Sequence, residues 1–209
     1  MRVTILLAFS LIVVVNTSCK RLILMQYGVK QPQIESNSSI TEFLIKKDMN
    51  VKDVLCFRDS TAITRKALDE GFSMPEVYFY NKNGHSVAYK AAAVSCNASA
   101  SPFLDNLAEN FNTLPFDTSR HISKEFSRLY RLKSQSIVNF DDFEKSDVYV
   151  IMYFAKYIGK LNKESIWDWL NHIKLIESKT KFKITPILVT CDYMDFWGVR
   201  KERLPKIRL

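Results

Sequence analysis

The sequence predicts an α/β domain, and three observations lead there. A continuous apolar run in "SDVYVIMYFAKYIGK" (146–160) and a second segment that reads as a buried strand, "FKITPILVTCDYMDFW" (182–197), flank a segment with helical periodicity. The stretch "SMPEVYFYNKNGHSVAYK" (73–90) alternates apolar and polar residues around an Asn-Lys-Asn-Gly turn. Between these, short strand-like and helix-like segments alternate along the chain. Runs apolar on both faces suit parallel strands covered on each side, and strand, helix, strand implies a parallel crossover. With 209 residues, 47% of them hydrophobic, the chain can bury a sizeable core.

Taken in order, the first helix is expected from Ser39, because "SSITEFLIKKD" places Glu42 three residues after that serine in capping-box spacing and feeds Ile40, Phe43 and Leu44 to one face. "VKDVLCFRD" (51–59) reads as a short strand with Cys56 inside it as a buried, reduced hydrophobe. Asp59 and Ser60 then open a helix, "TAITRKALDEGF", which Gly71 ends. Val77 and Phe79, the turn, and Val87 and Tyr89 form a β-hairpin. A helix is expected near "SPFLDNLAENF" and another over "TSRHISKEFSRLYRL" (118–132), followed by a loop to Asp142. The last helix, in "NKESIWDWLNHIKLIESK", is expected to be capped by Asn162 and to bury Ile166, Leu170 and Ile173. Trp167 and Trp169 point about 200° apart on such a helix, so one belongs in the core and the other at its margin.

The amino terminus carries a different signal. Arg2 precedes "VTILLAFSLIVVV", about thirteen apolar residues, which fits a secretory h-region and falls short of the ~20 that span a bilayer. The run ends in "NTSCKR", with Thr17 and Ser18 directly before Cys19. This arrangement resembles a relaxed bacterial lipoprotein signal of the Bacteroidetes kind, with Asn16 in place of the usual leucine. The resemblance implies a signal peptide over 1–18, lipidation of Cys19 and a tether over 19–38. It also implies localisation in the cell envelope, anchored to the membrane and facing the periplasm. Lys20 and Arg21 would then sit among the headgroups. The polar stretch to Ser38, punctuated by Gly28 and Pro32, reads as a loosely packed lead-in.

Residues 39–209 resemble the thioredoxin-like family in two places. Pro75, after Met74, stands where that family carries a cis-proline ahead of its hairpin, and the second half resembles the family's βαβ unit. The resemblance implies a thioredoxin-like central sheet flanked by helices, in an unusual order because the hairpin precedes the βαβ. One composite sheet, a permuted arrangement and two halves (39–115 and 140–199) all satisfy it. The family's Cys-x-x-Cys would fall in "AKYIGK" (155–160), which has no cysteine. The expected role is therefore a redox-inactive interaction domain with an envelope protein partner and no cofactor. The alternative is a thiol-dependent oxidoreductase or peroxidase using Cys96 or Cys191, a pair whose bridging the sequence leaves open. Either thiol would need a neighbouring cation or helix N-terminus to lower its pKa.

Other chemistry has little support. His85, His121 and His172 lie far apart, without ligand-spaced partners, so no metal is expected. No G-x-S-x-G or phosphate-binding glycine pattern occurs among the five glycines. The formal charge of +8 comes from basic residues interspersed with 22 acidic ones, with no nucleic-acid motif. Lys156, Lys160 and Lys163 cluster where the last helix begins, a candidate anion-binding position. The basic tail "VRKERLPKIRL" could touch a membrane or an acidic partner.

Overall fold

The computed structural model describes residues 22, 24–49, 51–71, 74–89 and 100–207. The expected signal peptide, Cys19, Lys20, Arg21 and Cys96 lie outside them.

The strands are β1 (Ile34–Glu35), β2 (Asp53–Phe57), β3 (Glu76–Asn81), β4 (His85–Val87), β5 (Phe116–His121), β6 (Leu129–Arg131), β7 (Val148–Phe154), β8 (Ile184–Thr190) and β9 (Tyr193–Met194). The helices are α1 (Asn37–Lys46), α2 (Ser60–Glu70), α3 (Ala100–Asp105), α4 (Leu107–Asn110), α5 (Ile122–Phe126) and α6 (Asp168–Lys179). Seven strands form one mixed sheet in the order β5-β4-β3-β7-β8-β2-β6, and β1 pairs with β9 in a separate parallel ribbon.

The apolar runs read from the sequence become the centre of this sheet. All seven residues of β7 are buried, because alternate side chains enter two different cores. Val148, Val150, Met152 and Phe154 pack with Ile40 and Leu44 of α1, Leu104 of α3 and Trp169 and Ile173 of α6. Tyr149, Ile151 and Tyr153 pack on the other face with Ile63 of α2 and Ile122 and Phe126 of α5. β7 and β8 run parallel in register from Val148 opposite Ile184 to Phe154 opposite Thr190. β3 joins β7 antiparallel over six residue pairs, and β2 joins the far side of β8 in parallel. Both sequence halves thus belong to one composite sheet, and neither is a separate unit.

The hairpin forms as its turn chemistry predicts, with β3 and β4 antiparallel and Gly84 at φ 78°. The Met74–Pro75 peptide bond is cis. At α2, the Asp59 carboxylate accepts from Ala62 N–H (2.8 Å) and Gly71 closes the helix at φ 62°. Trp169 is buried and Trp167 lies at the edge of the same core.

Four expectations are corrected. Ser36, not Ser39, caps α1, its hydroxyl accepting from Ser39 N–H at 3.2 Å. The lead-in is not loose: residues 27–35 dock on the domain and form β1. The segment 118–132 is not one helix but β5, α5 and β6. His121, extended at φ −109° and ψ 142°, ends the strand and caps α5 through its ring. Pairing of Leu129 and Arg131 with Phe57 and Leu55 then outweighs local helix propensity. Finally, the Asn162 side chain does not cap the helix; the residue is itself helical, and its side-chain amide donates back to the Ala155 carbonyl (2.8 Å).

Candidate functional site

The parallel strands β7, β8 and β2 end on the same edge of the sheet, where open α/β sheets usually bind ligands. There β7 leaves the core at Ala155 and turns through a 3₁₀ segment, Lys156–Leu161, into a π turn, Lys163–Trp167, that continues as α6. Asp192, just past β8, fixes the start of that turn: its carboxylate accepts from Lys156 N–H at 2.9 and 3.1 Å and from the Thr190 hydroxyl at 2.8 Å. Burial pushes the Asp192 carboxyl up to about 7, and these hydrogen bonds offset only part of that cost.

The amino-terminal segment straps across the turn. Lys30 N–H donates to the Tyr157 carbonyl (2.8 Å) and Lys160 N–H to that of Tyr27 (2.7 Å). Gly159, at φ 59° and ψ −125°, permits this approach, since a Cβ there would stand 2.4 Å from the Tyr27 oxygen and 2.5 Å from that of Gly28. Glu35 on β1 accepts from both the Lys156 ammonium and the Ser39 hydroxyl. The basic tail closes the strap from the other side: Gln31 exchanges two hydrogen bonds with the Ile207 backbone, at 2.6 and 2.9 Å.

Between strap, α1 and turn lies a groove of about 860 Å³, within the usual size of ligand pockets. Six lysines line it: 30, 46 and 47 from the strap and α1, and 156, 160 and 163 from the turn. Glu35 and Asp48 are its only acidic residues. Its apolar wall includes Phe43, Tyr157 and Trp167. The Phe43 and Trp167 rings meet edge-on at 6.1 Å, and the indole N–H donates to the Lys47 carbonyl at 3.1 Å.

The structure therefore brings Lys156, Lys160 and Lys163 together, but changes their roles. Lys156 is neutralised by Glu35. The backbone N–H groups of Lys156 and Lys160 are occupied, so an anion would meet ammonium groups there rather than those amides. Lys160 and Lys163, joined by Lys30 and Lys47, make no ion pair among the described residues. These two partners were invisible in the sequence, since more than a hundred residues separate them from the turn and only tertiary docking unites them.

The candidate thiol Cys191 does not fit nucleophilic chemistry. It is free and fully buried, with its N–H donating to the Phe154 carbonyl. Burial, with Asp192 adding to it, pushes its pKa well above that of an ordinary thiol. Cys56 is likewise free and fully buried. Cys96, the other candidate thiol, lies outside the described residues.

A second cluster that sequence reasoning missed lies on the opposite face. Lys66 of α2, fully buried, donates to Glu70 (2.9 Å) and Glu125 (2.7 Å), with Tyr78 and Tyr153 rings at 4.7 and 5.0 Å. Tyr153 donates to Glu125 at 2.7 Å and Arg128 to Glu70 at 2.6 Å. Burial opposes ionisation of Glu70, but hydrogen bonds and charge from Lys66 and Arg128 outweigh it and hold its pKa below the ordinary carboxylate value. Lys66 and Arg128, with the more exposed Arg120 at 4.0 Å from Glu70, face the two carboxylates, an arrangement that pins α2 to α5 and β7 rather than one that admits a substrate. Among the described residues no group of three or more metal-ligating side chains converges, and no helix is long and apolar enough to cross a membrane. No protein-family model matches the chain, and neither a curated protein nor a solved structure is detectably similar to it.

Proposed function

We propose that this chain is a membrane-anchored protein of the cell envelope whose soluble part is a redox-inactive thioredoxin-like domain that binds an anionic group of a ligand or partner in the lysine groove. Anchoring rests on the sequence signal ending at Cys19. The thioredoxin-like reading is supported by the way a βαβ unit (β7, α6, β8) and a Pro-led hairpin (β3, β4) meet edge to edge in one sheet, in permuted chain order.

The observation that carries the binding role is the turn after β7. Where a redox member of that family would place its cysteines, this chain places lysines, and the strap and the end of α1 add two more ammonium groups, Lys30 and Lys47, that make no ion pair among the described residues.

Inorganic phosphate at about ten times its Kd should raise the melting temperature by roughly 3 °C or more, because a ligand bound only by the folded state stabilises it. The Lys160→Glu, Lys163→Glu double variant should lose that rise while keeping the wild-type far-UV circular dichroism. An unchanged melting temperature in wild type at millimolar phosphate, or an equal rise in the variant, would dismiss the groove as an anion site. Anchoring is tested separately: Cys19→Ala should move the protein from the detergent to the aqueous phase.

A further inference from the structure

One lysine of the groove, Lys30, belongs to the segment that leads from the expected anchor into the domain, and Lys46 and Lys47 end the helix that follows it, so that connection constrains what the groove can meet. Leu24 is five positions beyond Cys19, at most ~18 Å of extended chain. Tyr27, Lys30 and Gln31, which line the groove, follow directly and are held by the hydrogen bonds to Tyr157, Lys160 and Ile207. The groove cannot drift far from whatever surface holds the amino terminus.

Apolar exposure reinforces this placement. Of the eight large hydrophobic residues exposed among the described ones, four fall between residues 22 and 45: Leu22 (63% exposed), Met25 (59%), Ile34 (37%) and Ile45 (71%). Leu22 and Met25 sit on the last stretch of chain before the strap, and Ile45 adjoins Lys46 and Lys47. Exposed apolar side chains interspersed with unneutralised lysines are the composition of a surface that rests in a bilayer interface, apolar groups at the acyl boundary and ammonium groups on phosphates.

We infer that the lysine groove lies against the membrane that carries the anchor and takes up the headgroup phosphates of anionic phospholipid. This deepens the proposed function and rests on it: the lipid supplies the anionic group, and the domain is held flat on the bilayer instead of swinging on a tether. Lys30, Lys47, Lys160 and Lys163 are the phosphate contacts, while Lys156, committed to Glu35, holds the strap in place.

The test uses the full chain reconstituted into vesicles of phosphatidylcholine alone or of equal parts phosphatidylcholine and phosphatidylglycerol. Amine acylation at each lysine is followed by mass spectrometry. On the anionic vesicles Lys30, Lys47, Lys160 and Lys163 should be acylated about fivefold more slowly than on the neutral ones, the equivalent of ~1 kcal/mol per lysine. High salt should remove the difference, and the exposed Lys124 on the other face of the sheet should not change. Equal rates on both vesicles, with the chain still vesicle-bound, overturn headgroup binding and leave anchoring intact. A chain that stays in solution with both vesicles refutes the anchoring beneath it. Protection by inorganic phosphate on neutral vesicles as strong as that by phosphatidylglycerol overturns the lipid assignment in favour of a small soluble anion.

Discussion

Replacing Asp192 with asparagine should remove a pH dependence of stability that wild type carries between about pH 4 and 7. The carboxyl is 1% exposed, and burial raises it from 3.8 to about 7 in the folded protein, against the hydrogen bonds from Lys156 N–H and the Thr190 hydroxyl. The folded state therefore keeps a proton that the unfolded chain has already released, and stability falls as pH rises through this window. The protonated carboxyl contributes fully below the unfolded value, and its contribution is lost once pH passes about 7. The separation between the two values corresponds to ~4 kcal/mol at most. Asparagine keeps the volume, its amide oxygen still accepts from Lys156 N–H, and no charge is buried at any pH. Urea denaturation of both proteins at intervals across the range gives the unfolding free energies. The difference, wild type minus variant, should fall by several kcal/mol from pH 4.5 to about 8, with the variant the more stable at the alkaline end. Parallel curves would refute the argument, because they would mean that the carboxylate is ionised without penalty where it lies.

Lys66→Met should cost ~3–5 kcal/mol in urea denaturation, since it leaves Glu70 and Glu125 charged, enclosed and short of a cation; a loss below ~1 kcal/mol would mean that water or Arg128 compensates. Gly159→Ala should destabilise by at least ~1 kcal/mol, because alanine tolerates neither its backbone angles nor the Tyr27 carbonyl. The same variant should speed tryptic cleavage after Lys30, and unchanged cleavage would show that the strap does not depend on that contact. Burial pushes the Cys56 thiol up to about 12 and raises Cys191 as well, so iodoacetamide near neutral pH should modify neither until the protein is unfolded. Rapid labelling of native Cys191, read by peptide mass analysis, would reopen thiol chemistry.

The elements that could be read from the sequence are those whose signal is local. Asp59 and Gly71 bracket α2 because a carboxylate cap and a left-handed glycine act within a turn of the helix. The Asn-Lys-Asn-Gly turn dictates its own hairpin, and the unbroken apolar run of β7 announces a strand covered on both faces. The misreadings occur where distant pairing decides. Leu129–Arg131 looks helical until β2 offers an edge, and residues 27–35 look like a tether until Gly159 and β9 give them a dock. The same division runs through the site. Lys156, Lys160 and Lys163 could be found because they are close in sequence, whereas Lys30 and Lys47 could not. Lys66 reads as an ordinary surface lysine of α2, since its burial depends on Glu125, 59 residues away.

The order of strands in the sheet differs from the order in which a ribosome delivers them, and this shapes how the protein must fold. β2, β3, β4, β5 and β6 all precede β7 and β8 in the chain, yet β7 and β8 stand between β3 and β2 and join the two flanks of the sheet. Until residue 190 has emerged, the hairpin side and the β2–β6 side have no strand to connect them, and β3 and β2 each present an unpaired edge. Such non-local closure slows folding and prolongs exposure of those edges to other chains. The proposed envelope location would draw on this arrangement, because neither flank of the sheet can be joined to the other until its last central strand arrives.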